Sequence, residues 1–241
     1  MDLNADVGEG APHDDALLEV VTSASVACGG HAGDAATMAR TVEAAAARGV
    51  VLGAHPSYPD PTGFGRRPLA LSPARVADEV HRQVEALAAV AAAAGVAVRY
   101  VKPHGALYHR VADDEECARA VAGAAGGRVL VCLAGSRGAA VARACGVPVA
   151  GEAFADRAYR PDGRLASRHE PGAVLGDPDE VARRAVSIAT GRGVTALDGS
   201  PVALAAASIC LHGDTPGADG LARHVRRALE AAGVELAPFA P

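Results

Sequence analysis

The chain has no tryptophan, one lysine, one asparagine and no surplus of positive charge. Its 23 Lys and Arg against 28 Asp and Glu leave a formal charge of −5, which offers no basic surface to a phosphate backbone and argues against nucleic acid as a partner. Charge, glycine or proline interrupts each apolar stretch before the roughly 18–20 residues needed to cross a bilayer, and Met1 is followed by Asp2 rather than a basic leader. The expectation is a cytoplasmic chain with no membrane span and no secretion signal. The five cysteines are odd in number and contain no C-x-x-C pair, so Cys28, Cys117, Cys132, Cys145 and Cys210 read as reduced thiols in apolar core surroundings. Three catalytic signatures are missing as well: a G-x-x-x-x-G-K-[ST] phosphate loop, a G-x-S-x-G nucleophile elbow and an H-E-x-x-H helix. The chain alone has no recognisable means of binding ATP.

What is present is 241 residues, half of them hydrophobic, a length at which an α/β barrel forms one domain, here expected over 1–241. Short β-type runs alternate with helical patterns. The candidate strands are Met1–Asp6, Ser23–Cys28, Val50–Ala54, Val98–Lys102, Val129–Leu133, Val147–Glu152, Ala173–Leu175 and Ser208–His212. Between them Ser72-Pro73, Asp177-Pro178 and Thr215-Pro216 each place a capping side chain before a proline suited to the first helical position, and Gly95, Gly191 and Gly233 mark helix ends. Val76, Val80, Val84, Leu87 and Ala91 form an apolar stripe, as do Leu221, Val225 and Leu229 in a helix over 216–232. The alternation predicts an irregular (β/α) barrel of about seven or eight parallel strands rather than a doubly wound sheet, because polar residues end nearly every strand. The irregular stretch Phe154–Pro171, with its Pro161-Asp162-Gly163 turn, is expected to make an excursion over the barrel mouth.

Those strand ends carry Asn4, Asp6 and Glu9, then His31, His55, Lys102 with His104, Glu152 with Asp156 and Arg157, and His212 with Asp214. In a parallel barrel they converge on one face. Asn4/Asp6, Lys102/His104 and His212/Asp214 are two residues apart, a spacing that shares a face in a strand. A lone histidine at a strand end is commonly structural, whereas four at four ends point to a common pocket. Asp6 and Asp214 could instead cap the following turn, and Glu152 and Arg157 could pair across the mouth. Gly63-Phe64-Gly65-Arg66-Arg67 reads as solvated, with Arg66 a candidate for an anionic group. His13, His81, His169 and His224 read as surface residues. Lys102 is the one lysine among 22 arginines, and arginine cannot replace an amine that must share or lose a proton.

Carboxylates, imidazoles and one amine suit water attack on an acyl carbon. Asp6 is the candidate base, Lys102 the charge stabiliser, and His104 or His212 the proton carrier, with Glu152 and Asp214 completing the catalytic set. Asn4, His31, His55, Arg66 and Arg157 are candidate substrate contacts. The same Asp and His residues could hold a divalent metal, although no local ligand pair has diagnostic spacing.

Along nearly its whole length the chain also resembles the LamB/YcsF family of bacterial ATP-dependent 5-oxoprolinase subunits. The resemblance runs through Asp2-Leu3-Asn4-Ala5-Asp6-Val7-Gly8-Glu9, Ala27-Cys28-Gly29-Gly30-His31-Ala32-Gly33-Asp34, Gly53-Ala54-His55-Pro56-Ser57-Tyr58-Pro59-Asp60 and Gly63-Phe64-Gly65-Arg66-Arg67. It continues through Val101-Lys102-Pro103-His104-Gly105-Ala106-Leu107-Tyr108, Glu152-Ala153-Phe154-Ala155-Asp156-Arg157-Ala158-Tyr159 and Ile209-Cys210-Leu211-His212-Gly213-Asp214-Thr215-Pro216-Gly217. Ser25, Gly30 and His109 depart from the family's usual residues. The resemblance implies a deacetylase-like barrel and two partner subunits that use ATP to phosphorylate 5-oxoproline. This chain would then open the activated ring to give L-glutamate. The alternatives are a stand-alone metal-dependent amide or polysaccharide deacetylase, with metal on some of Asp6, His31, His55, His104 and His212, and a non-catalytic organising subunit.

Overall fold

A computed structural model describes residues 1–211 and 217–240. Seven parallel strands close into a barrel: β1 (Asp2–Val7), β2 (Ser23–Ala27), β3 (Val51–His55), β4 (Val98–Val101), β5 (Val129–Leu133), β6 (Val149–Phe154) and, after the short antiparallel pair β7 (Val194–Thr195) and β8 (Pro201–Val202), β9 (Ser208–Leu211). The helices are α1 (Asp14–Leu18), α2 (Ala35–Ala47), α3 (Pro73–Ala93), α4 (Gly105–Asp113), α5 (Glu115–Ala124), α6 (Arg137–Ala144), α7 (Pro178–Ala189) and α8 (Ala218–Ala231). None of them is long and apolar enough to cross a membrane.

Local sequence explains the helix boundaries. Ser72 accepts a hydrogen bond from the Arg75 amide, Pro73 opens α3, and the stripe from Val76 to Ala91 is buried. Asp177 caps α7 in the same way through the Asp179 amide. The expected cap at Thr215-Pro216 lies outside the described residues, and α8 starts at Ala218 behind Gly217 in the left-handed conformation.

One expected strand is not in the barrel. At Ala173–Leu175 only an isolated bridge joins Val174 to Arg157, because β6 pairs directly with β9 through Glu152↔Ser208, Ala153↔Ile209 and Phe154↔Cys210. No slot remains between them. Residues 155–207 instead leave the barrel, and the stretch after Phe154 turns at Gly163 to border the mouth.

Alternation along β1 sends Leu3, Ala5 and Val7 into the apolar core, while Asp2, Asn4 and Asp6 meet polar partners from other strands. Below them Tyr100, Val131 and Ala150 pack with Phe239. Gly53 makes this possible, since a Cβ there would fall 2.1 Å from the Tyr100 ring. All five cysteines are free, but Cys145 is exposed rather than in the core, and the buried Cys210 also meets the charged Lys102.

Candidate active site

Four strands deliver the floor of the site. The Lys102 ammonium, just past β4, lies 2.8 Å from Glu152 Oε1 on β6 and 2.9 Å from Asp6 Oδ1 on β1. It also donates to Asn4 Oδ1 at 3.1 Å and contacts Cys210 Sγ at 3.0 Å. Asn4 Nδ2 donates in turn to Glu152 Oε1 and Ser208 Oγ, and the Ser208 hydroxyl donates to Asp2. Burial opposes charge on Lys102, yet Asp6, Cys210 and Glu152 outweigh it and hold the amine protonated well above its ordinary range. Lys102 is therefore a fixed cation that shares its protons through hydrogen bonds rather than losing one. Burial raises the Asp2 carboxyl, and hydroxyls from Ser208, Thr22 and Ser23 partly offset this.

Beside the ammonium stands a group of three histidines. His55 Nδ1 lies 2.7 Å from the Lys102 carbonyl and His104 Nε2 lies 2.9 Å from the Phe64 carbonyl. A carbonyl only accepts, so both nitrogens carry protons. Burial, followed by repulsion from His55 and His31, drives the His104 pKa far down, which leaves its Nδ1 as a lone-pair acceptor. The 3.0 Å contact from His55 Nε2 to His104 Nδ1 then requires a proton on His55 Nε2. Burial opposes that charge, but Asp6 raises the His55 pKa, with its Oδ2 3.4 Å away. His31 stacks on His104 at 3.7 Å between ring centroids and bridges Glu9 and Ser57. Its pKa is lowered by burial.

A divalent cation could stand in place of that shared proton. His55 Nε2, His104 Nδ1 and Asp6 Oδ2 form a three-donor cage, with His55 Nε2 3.0 Å from His104 Nδ1 and 3.4 Å from Asp6 Oδ2. Ligands about 2.0–2.1 Å from a tetrahedral ion lie roughly 3.3 Å apart, so the donor set fits one. Asp6, His55 and His104 form one three-ligand group, and Glu9, His31 and His104 a second.

The floor opens into a pocket of about 930 Å³ whose lining includes Asp6, Glu9, His55, Lys102, His104 and Tyr108. Asn4, His31 and Glu152 lie buried behind this lining and act on it through their partners. The alternative Glu152–Arg157 ion pair does not form. Glu152 is taken by Lys102, while Arg157 donates to the Ala173 and Ala166 carbonyls. Arg66 is exposed at the rim, over the Phe64 ring. His212 and Asp214 lie outside the described residues.

The segment that reads as solvated in the sequence is a buttress in the structure. Phe64 has φ 52°, the one positive value at a non-glycine among the described residues, and its carbonyl fixes His104 while its ring meets His31 and His104 edge-on. Such a conformation costs of order 1–3 kcal/mol and persists where surroundings enforce it, here through the Arg67–Asp60 pair and the Gly65 amide on Asp60. Tyr108 is a further site residue that the strand-end pattern does not mark. It follows His104 by one helical turn on α4, a spacing that puts both on one face. Among the described residues neither the Tyr108 hydroxyl nor Glu152 Oε2 has a partner in hydrogen-bonding geometry, and burial with nearby Glu152 raises the phenol.

The LamB/YcsF family model matches residues 1–241. The chain is 56% identical to a 5-oxoprolinase subunit of Streptomyces griseus over the full length of both. It is 51% identical to a 5-oxoprolinase subunit of Pseudomonas syringae, covering 100% of this chain and 97% of that one. A lactam utilization protein from Thermus thermophilus superposes with a TM-score of 0.93 at 45% identity, covering 99% of each chain. A family 4 carbohydrate esterase from Streptomyces lividans shares the fold at a TM-score of 0.55 and 15% identity, covering 100% of this chain and 93% of that one.

Proposed function

The chain belongs to the LamB/YcsF family, and from that premise we propose that it opens the lactam ring of 5-oxoproline within an ATP-dependent 5-oxoprolinase. The observation that carries the reading is a pocket floor that places a carboxylate, Asp6, between a fixed ammonium and a histidine cluster. Two partner subunits bind ATP and phosphorylate the lactam oxygen, which makes the ring carbon electrophilic. Asp6 takes a proton from water as the water oxygen bonds to that carbon. The ring C–N bond then breaks, and a proton returns to nitrogen from His104, which takes it over from His55 across their 3.0 Å contact, or from His212. The fixed charge of Lys102 orients Asp6 and offsets negative charge in the transition state. The resulting acyl phosphate is released by a second water, so 5-oxoproline, ATP and two waters give L-glutamate, ADP and phosphate. Asp6, His55 and His104 would hold a divalent cation, which would supply positive charge to polarise a substrate or water oxygen.

The test is glutamate release by this chain mixed with its two partner subunits, ATP and 5-oxoproline. Asp6→Asn should lower release at least a thousandfold while the partners retain ATP hydrolysis. Undiminished release would remove the pocket from the chemistry and favour the organising role. The three-donor cage of Asp6, His55 and His104 favours a second reading, a stand-alone metal-dependent amide or polysaccharide deacetylase. Acetate release from N-acetylated substrates by this chain alone would select it.

A further inference from the structure

Arg157 is 3% exposed and lines the pocket, yet no carboxylate lies within ion-pairing distance of it among the described residues. Its Nε and Nη2 donate to the Ala173 and Ala166 carbonyls at 3.3 and 2.6 Å, and Nη1 has no acceptor among the described residues. A guanidinium removed from water without a counter-charge is costly. Of its charged neighbours Arg168 opposes that charge most, ahead of Asp156, which favours it without pairing to it. Half-buried Arg168 and exposed His109 line the same pocket. Burial and then Arg168 push Arg157 down to about 10, and burial followed by Arg157 and Arg168 lowers His109. The arrangement is also rigid, since Arg184 on α7 donates to the Ala155 and Arg157 carbonyls at 3.0 and 2.8 Å.

We propose that Arg157, flanked by Arg168 and His109, is the binding pole for an anionic group of the substrate, with Nη1 donating to a carboxylate or phosphoryl oxygen. The identity of the ligand rests on the ring-opening reading, whereas the anion preference rests on the pole alone. Under that reading the substrate brings both kinds of anion, its own carboxylate and the transferred phosphoryl group. A guanidinium with two backbone anchors and one open edge presents a directed donor to either.

The experiment is ligand titration of the full chain by saturation-transfer NMR, using 5-oxoproline, its neutral amide, 2-pyrrolidinone and inorganic phosphate. Wild type should bind 5-oxoproline at least tenfold more tightly than either neutral lactam if the carboxylate is the source. Arg157→Met should erase that gap while leaving 2-pyrrolidinone unaffected. If the phosphoryl group is the source, inorganic phosphate binds wild type, Arg157→Met weakens it at least tenfold, and the lactams bind alike. Arg168→Gln should reduce the same anion preference several-fold without touching the two backbone anchors, which guards against misfolding of the first variant. Equal binding of charged and neutral lactams, together with phosphate binding indifferent to both variants, would overturn the proposal. Failure here with Asp6→Asn still inactive in the complex leaves ring opening standing. An intact anion preference without glutamate release from any mixture leaves only the pole.

Discussion

On the floor of the pocket Lys102 has two carboxylates within 2.9 Å, whereas on its wall Arg157 has only backbone carbonyls for partners among the described residues. Both cations are buried. The difference separates two uses of buried charge. The ammonium on the floor finds its counter-charges within the protein and holds Asp6 in fixed geometry, while the guanidinium on the wall keeps one donor edge without an acceptor among the described residues. Removing charge from the first should damage the fold, and removing it from the second should damage recognition.

The sharpest test of that contrast is Lys102→Met. It strands Asp6 and Glu152 without their cation and should cost about 3–5 kcal/mol, read by urea denaturation, whereas Arg157→Met should cost far less stability and alter ligand preference. A comparable loss for both would erase the distinction. Next in size is the cage: elemental analysis of the purified chain should find about one divalent ion, with a lower melting temperature after chelation and no ion in His104→Ala. Tyr108→Phe removes a hydroxyl that has no partner among the described residues, so it should leave stability within about 0.5 kcal/mol yet slow glutamate release by roughly tenfold if that hydroxyl meets substrate. Smallest of all is a change away from both regions. Asp114 caps α5 through the Glu116 and Cys117 amides, and Asp114→Ala should cost about 1 kcal/mol with activity unchanged. The Cys117 amide and Arg110 lower the Asp114 carboxyl, so this contribution is present above its ordinary pKa and fades as pH falls through the lowered value.

Most of the frame is readable in the sequence because βα alternation and capping are local. The failed strand at Ala173–Leu175 has the right composition, but its fate is decided by β6 meeting β9, a contact between residues more than fifty apart that no local pattern encodes. The same division holds at the site. Asp6, His55, Lys102 and His104 follow from their positions at strand ends. That Cys210 meets Lys102, or that Glu152 pairs with Lys102 rather than Arg157, depends on barrel registration. Phe64 is hidden for another reason, since a left-handed conformation at a phenylalanine opposes its intrinsic preference and is imposed by tertiary contacts. Tyr108 is within reach of sequence reasoning through its helical spacing from His104.

Because β6 and β9 occupy neighbouring positions, residues 155–207 depart from the barrel and return to it without contributing a strand. In terms of gene organisation this stretch is a cassette inserted between two neighbouring strands, tied to the frame where Tyr159 accepts from the Phe154 amide and Val181, Ala185 and Ile188 join the core. Arg157 and Arg168 belong to the cassette, whereas Asp6, Lys102 and Glu152 belong to the frame. Under the roles proposed above, ligand preference and bond-breaking chemistry are encoded by separate stretches of the gene.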